Sequence, residues 1–177
     1  MSLSFALSET HTMIRETVRR FAENEIQPIA KQLDEKEEFS PSLTRKMGEV
    51  GLFGMTLDPE FGGHGLDYVS YIIAVEEIAR VDGSHAATVA AGNSLGIGPI
   101  YYFGSEEQKR EYLPSLCEGK ALAGFGLTEP DAGSDAGGSK TNAVKDGKEW
   151  IINGSKIFIT NSANPLSSVT TVQAVTG

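Results

Sequence analysis

Between Ala121 and Asn161 the chain reads ALAGFGLTEPDAGSDAGGSKTNAVKDGKEWIINGSKIFITN, and no other stretch restricts the fold as tightly. An apolar run carrying Gly124 and Gly126 breaks at Thr128-Glu129-Pro130, and a loop of small and acidic residues follows from Asp131 to Gly138. Strand-like segments come next, separated by Asp146-Gly147 and Asn153-Gly154. Such dipeptides between alternating runs predict hairpins, because both central residues of a type I′ turn need positive φ. The pattern places the loop at the mouth of a twisted antiparallel sheet. Gly133, Gly137 and Gly138, with Ala132 and Ala136 among them, let the backbone approach a ligand without bulky side chains in the way. Thr128, Ser134 and Thr160 supply hydroxyls, and exposed N–H groups of such a loop can form an anion-binding nest. The chemistry points to a phosphate-bearing cofactor. A polar hairpin-end loop with no ligand is the alternative, since the same residues are ordinary turn chemistry.

Upstream of Gly119 every regular segment reads as helix. Met13, Ile14, Val18, Phe21, Ala22 and Ile26 give Ser8 to Gln27 one apolar face, and Pro28 ends or bends that helix. A short helix over Ile29 to Glu37 and one opened by Ser40 as N-cap with Pro41 in its first turn, ending at Gly51, come next. Leu52 to Leu66 reads as loop on its Pro and Gly content. Asp67 caps a helix through Ala79 whose expected buried stripe is Tyr71, Ile72, Val75 and Ile78. Glu76, Glu77 and Arg80 read as a solvated face with ordinary surface ion pairs. From Gly83 to Phe103 there is no charged residue, yet Ser, Asn, Gly and Pro interrupt it too often for a membrane span, so it reads as a closely packed buried helix. Ser105-Glu106-Glu107-Gln108 is a capping box, and Pro114 should break or restart the helix it opens. Beyond Gly119, strands are expected at Ala121 to Leu127, Lys140 to Lys145, Glu149 to Ile152, Lys156 to Thr160 and Val169 to Val175. The fold class is therefore α+β. Residues 1–119 form an all-helical domain, and residues 120–177 form part of an antiparallel β-barrel or sandwich domain.

Several functions are excluded. A net charge of −9 argues against nucleic-acid and anionic-membrane partners. The single cysteine, Cys117, excludes an intramolecular disulfide, suits a reducing compartment and reads as a buried helix residue. MSLSFALSE lacks a basic start and a long apolar run, so no secretory signal is expected. His64 has no Cys or second His at ligand spacing, and no metal site is expected. Gly92-Asn93-Ser94-Leu95-Gly96 matches the nucleophile elbow of hydrolases, but it sits in a helical stretch and no histidine follows Ser94.

GLTEPDAGSDAGG followed by DGKEWIINGSKIFITN resembles the signature region of the acyl-CoA dehydrogenases, and the IFITN run is similar to that of short-chain, butyryl-CoA-type members. The resemblance implies FAD as cofactor, an acyl-CoA substrate, an electron-transferring flavoprotein as partner, and a dimer or tetramer. It implies a cytoplasmic location, or the mitochondrial matrix in a eukaryote. The implied reaction takes a proton from the α-carbon of the thioester and passes hydride from the β-carbon to FAD. The implied cofactor-binding residues are Phe125, Leu127, Thr128, Gly133, Ser134, Phe158, Ile159 and Thr160. Leu127 and Thr128 would face the pyrimidine side of the flavin, and Thr160 the nitrogen that accepts hydride. Ser134 would contact the pyrophosphate and the substrate, and Phe158 stands where many relatives carry Trp. Glu129 reads as structural, because the family's carboxylate base comes from a C-terminal half. The chain thus looks like the front half of such an enzyme, inactive alone. Two readings stand beside it: a non-catalytic module that keeps the fold, and an unrelated helical protein with a β tail.

Overall fold

The computed structural model describes residues 6–176; the start of the stretch read for a secretory signal lies outside them. Helices α1 (Glu9–Phe21) and α2 (Gln27–Lys36) join through a π turn, Ala22–Ile26, that buries Ala22 and Ile26. Pro28 sits in the first turn of α2, where no N–H is needed, so the chain stays helical instead of breaking. Helix α3 (Pro41–Glu49) starts as expected, with Ser40 Oγ accepting from the Leu43 N–H. Helix α4 (Tyr68–Ala79) is capped by Asp67 through the Ser70 N–H.

The uncharged segment is the spine. It comprises α5 (Gly83–Ala91), a π turn over Gly92–Ile97 and α6 (Gly98–Phe103). A Cβ on Gly92 would lie 2.8 Å from the Phe53 ring, and one on Gly96 would lie 2.7 Å from the Ala123 carbonyl oxygen. The two glycines therefore let this spine touch the 52–66 loop on one side and the first strand on the other. The loop is irregular as expected, apart from one 3₁₀ turn at Pro59–Phe61, but it lies in the core: Leu52, Phe53, Met55, Leu57 and Phe61 are buried. Asn93 satisfies its backbone, donating to the Leu52 carbonyl and accepting from the Met55 N–H. Helix α7 (Glu106–Cys117) opens with the expected capping box. Pro114 does not break it; burial of Leu113, Leu116 and Cys117 holds the last turn in place. Burial also pushes the Cys117 thiol up to about 11, with the Glu118 charge adding to the effect.

Two strand pairs follow. Strand β1 (Leu122–Gly126) pairs in parallel with β4 (Ser167–Val172), and β2 (Asn142–Asp146) pairs antiparallel with β3 (Glu149–Asn153). The helical part thus leads into a part-built sheet region whose barrel is not closed. The first ladder is parallel because the whole 127–166 segment serves as its crossover. At the hairpin, Asp146 pairs with Glu149 and only Gly147 has positive φ (59°), the pattern of a II′ rather than a I′ turn. Asn153-Gly154 makes no hairpin, and Lys156 to Thr160 is not a strand. Phe158 there adopts φ 57°, which takes the backbone out of the extended region.

Helix α4 also departs from expectation. Its buried face is Ser70, Ile73, Ala74, Glu77 and Ile78, while Ile72 is exposed. The helix is wedged between α1 and α5, and small Ser70 and Ala74 let it approach both. Glu77 is not a surface residue: it is 2% exposed and accepts from Arg19 Nε (2.9 Å), Arg19 Nη2 (2.8 Å) and Arg80 Nη1 (3.0 Å). Arg19 first, then Arg80, holds its carboxyl below the usual carboxylate range despite burial.

Candidate functional site

The 127–141 loop is drawn together at its base by one side chain. Glu129, 6% exposed, accepts from the N–H groups of Lys140 (2.7 Å) and Thr141 (2.9 Å), from the Ser139 hydroxyl and from Lys156 Nζ (2.7 Å). Lys156, itself 10% exposed, also donates to Ser139 Oγ and to the Leu127 carbonyl, each at 3.0 Å. Lys156 first, then Ser139, Thr141 and Lys140, holds the Glu129 carboxyl well below the usual range, so it is ionised and fully engaged at neutral pH. The sequence reads Glu129 as structural, and its bonds to the loop backbone agree with that. Its ion pair with Lys156 bridges residues too far apart in sequence for spacing to signal it.

The second half of the site lies along β1. The Ile157 N–H donates to the Thr128 carbonyl at 2.9 Å. A Cβ on Gly124 would lie 3.2 Å from Ile159 Cγ2 and 3.4 Å from the Thr160 carbonyl oxygen, and one on Gly126 would lie 3.3 Å from Lys156 Cγ. Gly124 and Gly126 thus leave room for the 156–160 segment to run against the strand. Farther on, Asn161 is buried, donates to the Thr88 carbonyl at 3.3 Å and joins this segment to α5.

The predicted site residues fall into two groups. Phe125 lies on β1, Leu127 and Thr128 directly follow it, and Ile159 and Thr160 lie on the segment that runs beside it. Gly133 and Ser134 lie on the exposed outer part of the loop, and among the described residues no hydrogen bond joins them to Thr160. Nothing lies within 4 Å of where a Gly133 Cβ would be, so the space there is open to a ligand. Phe158 is 88% exposed, its ring standing clear of the core. The hydroxyls of Thr128, Ser134 and Thr160 have no hydrogen-bond partner among the described residues, whereas nearby Ser139, Ser162 and Ser167 each bond within the protein. The Thr128 N–H is likewise free of a partner among them. This donor set, with open space at Gly133 and an exposed aromatic ring, fits a flat aromatic cofactor bearing phosphates. Among the described residues no three His, Cys, Asp or Glu side chains group as metal ligands would. No helix among them is long and apolar enough to cross a membrane.

Fold and loop together define an α+β architecture in which a helical unit carries a part-built sheet, with a donor-rich loop after the first strand. The chain belongs to the acyl-CoA dehydrogenase family: the family's N-terminal domain matches residues 8–120 and its middle domain residues 124–177. It is 47% identical, over 99% of its length, to the probable acyl-CoA dehydrogenase YngJ of Bacillus subtilis, covering 46% of that protein. It is 46% identical, over 90% of its length, to the short-chain specific acyl-CoA dehydrogenase of Clostridium acetobutylicum, covering 42% of it. A glutaryl-CoA dehydrogenase from Mycobacterium smegmatis, solved in complex with FADH2, superposes with a TM-score of 0.91 at 39% identity; the match covers 96% of this chain and 43% of that one. The chain thus spans less than half the length of the curated relatives it matches.

Proposed function

We propose that this chain is the front part of an FAD-dependent, short-chain-type acyl-CoA dehydrogenase, with residues 1–119 as its helical domain and 120–177 as the first part of its sheet domain. The observation that carries the reading is the set of unpartnered hydroxyls at Thr128 and Thr160, on segments held together beside one strand, with that of Ser134 on the exposed loop between them. Bound FAD would supply the two-electron acceptor for α,β-dehydrogenation of an acyl-CoA thioester. Leu127, Thr128 and Thr160 would hold the ring by hydrogen bonds, and Phe125, Phe158 and Ile159 would pack about it. Gly133 and Ser134 would meet the pyrophosphate, with Ser134 also meeting the substrate. Donors fixed in place favour the electron-rich form of such a ring, as they do an oxyanion. Glu129 is not the base in this reading, because every contact it makes holds the loop. The base comes from outside residues 1–177. An electron-transferring flavoprotein as electron acceptor, a dimeric or tetrameric assembly and a cytoplasmic or mitochondrial-matrix location complete the reading.

A titration of the purified chain with FAD, followed by butyryl-CoA without oxygen, tests it. The chain is expected to hold FAD weakly and not to be bleached by substrate. Tight flavin that bleaches would make Glu129 the first candidate base. In the full-length flavoprotein, Thr160→Val removes one donor, and reduction by acyl-CoA is expected to slow by about 10²-fold with FAD retained. An unchanged rate would remove Thr160 from the site, and no flavin uptake at full length would favour a non-catalytic module.

A further inference from the structure

Lys156 and Glu129 are both nearly buried, at 10% and 6% exposed. Taking two charges out of water is costly, and neutral residues of the same shape could close a loop as well. Lys156 Nζ donates to the Leu127 carbonyl at 3.0 Å, and the following carbonyl, of Thr128, accepts from the Ile157 N–H at 2.9 Å. Among the described residues no peptide bond is cis. In a trans peptide the C=O and the next N–H point to opposite sides of the chain. With the Leu127 C=O turned to Lys156, the Thr128 N–H points away from the ion pair, and it has no partner among the described residues. A cationic donor on a carbonyl also polarises its peptide, which strengthens the N–H at the other end.

We propose that Lys156, with its charge balanced by Glu129, is a positioning residue for the cofactor: it sets and polarises the Leu127–Thr128 peptide so that the Thr128 N–H is presented as a donor to the flavin. This deepens the flavoenzyme reading and rests on it. Glu129 contributes by keeping Lys156 in place while it also gathers residues 139–141, so both ends of the loop are fixed by the same pair.

Two measurements test the proposal. In the chain itself, without flavin, Lys156→Met keeps the aliphatic stem and removes the charged donor. The Leu127 carbonyl carbon should then shift in its NMR spectrum, and amide exchange at Ile157 should speed up about tenfold, while α4 and α5 stay protected. In the full-length flavoprotein the same variant should weaken FAD binding about tenfold and make the bound flavin harder to reduce, and Lys156→Arg should restore both. If Lys156→Met does not fold, Glu129→Gln replaces it and should move the same signals in the same direction. An unchanged Leu127 carbonyl, or FAD affinity and reduction equal to the parent's, would overturn the proposal. A full-length parent that takes up no flavin would instead sink the functional reading, which the carbonyl measurement does not depend on.

Discussion

The helical part and the sheet part solve the problem of burial differently. Most of the buried apolar core lies upstream of Gly119, whereas downstream it comprises Leu122, Ala123, Ala132, Ala143 and Leu166. Strand β3 is exposed along its whole length, and Val144, Trp150, Ile151 and Ile152 of the hairpin are half exposed or more. Helices satisfy their own backbone and need only one covered face, so the N-terminal part supplies most of the core, to which Leu122, Ala123 and Leu166 are added from the sheet part. A two-stranded pair leaves edges and a second face open, and is marginal unless something packs on it. The sheet part is therefore held to the helices at a few points: β1 against Gly96, Asn161 on Thr88, and Leu122 and Leu166 in the core.

The largest expected effect falls on the helical side. Val89 is completely buried on the spine, and Val89→Asp would place an unpaired charge there at a cost of about 3–5 kcal/mol. A parent-like thermal midpoint for this variant would break the comparison outright.

Glu77→Gln comes next. It leaves Arg15, Arg19 and Arg80 facing a neutral group, and the expected loss is roughly 2–3 kcal/mol, reduced by the partial exposure of the arginines. The sign with pH follows from the depressed carboxyl. Its contribution is fully present above the ordinary value of 4.5 and is lost as pH falls through the lower folded value. Denaturant melts of parent and variant should therefore converge as pH drops below 4.5. A gap that is independent of pH would show that the ion pairs contribute nothing.

Gly96→Ala sharpens the seam between the two parts. Its methyl group would meet backbone of Ala123 at 2.7 Å, so β1 must shift, at a cost of about 1–3 kcal/mol. Amide exchange should rise in β1 and β4 more than in α4. Uniform loss of protection would mean that the two parts melt as one.

The smallest effect is expected at the hairpin. Ile151→Thr touches a half-exposed side chain, and stability should change by no more than ~0.5 kcal/mol. Self-association, read by sedimentation, should fall. A destabilisation as large as that of Val89→Asp would show the hairpin face to be part of the core.

What the sequence determined was local. Ser40 and Asp67 each bond the N–H three residues on, and the Ser105–Gln108 capping box closes as read, because partners and spacing sit within one turn. The change from helix to strand after Gly119, the helical spine from Gly83 to Phe103 and the hairpin at Gly147 were legible for the same reason. The signature residues from Phe125 to Thr160 were legible only as a pattern. The tertiary structure decided the rest. It buried the 52–66 loop through Asn93 and drew Glu77 inward to an arginine that lies 58 positions away in the sequence. It left the 156–160 segment without strand pairing, and it joined Lys156 to Glu129 across a separation of 27 positions. A buried carboxylate and an exposed one look alike in sequence, because what separates them is the position of a distant cation, and that is fixed only when the helices and strands have packed.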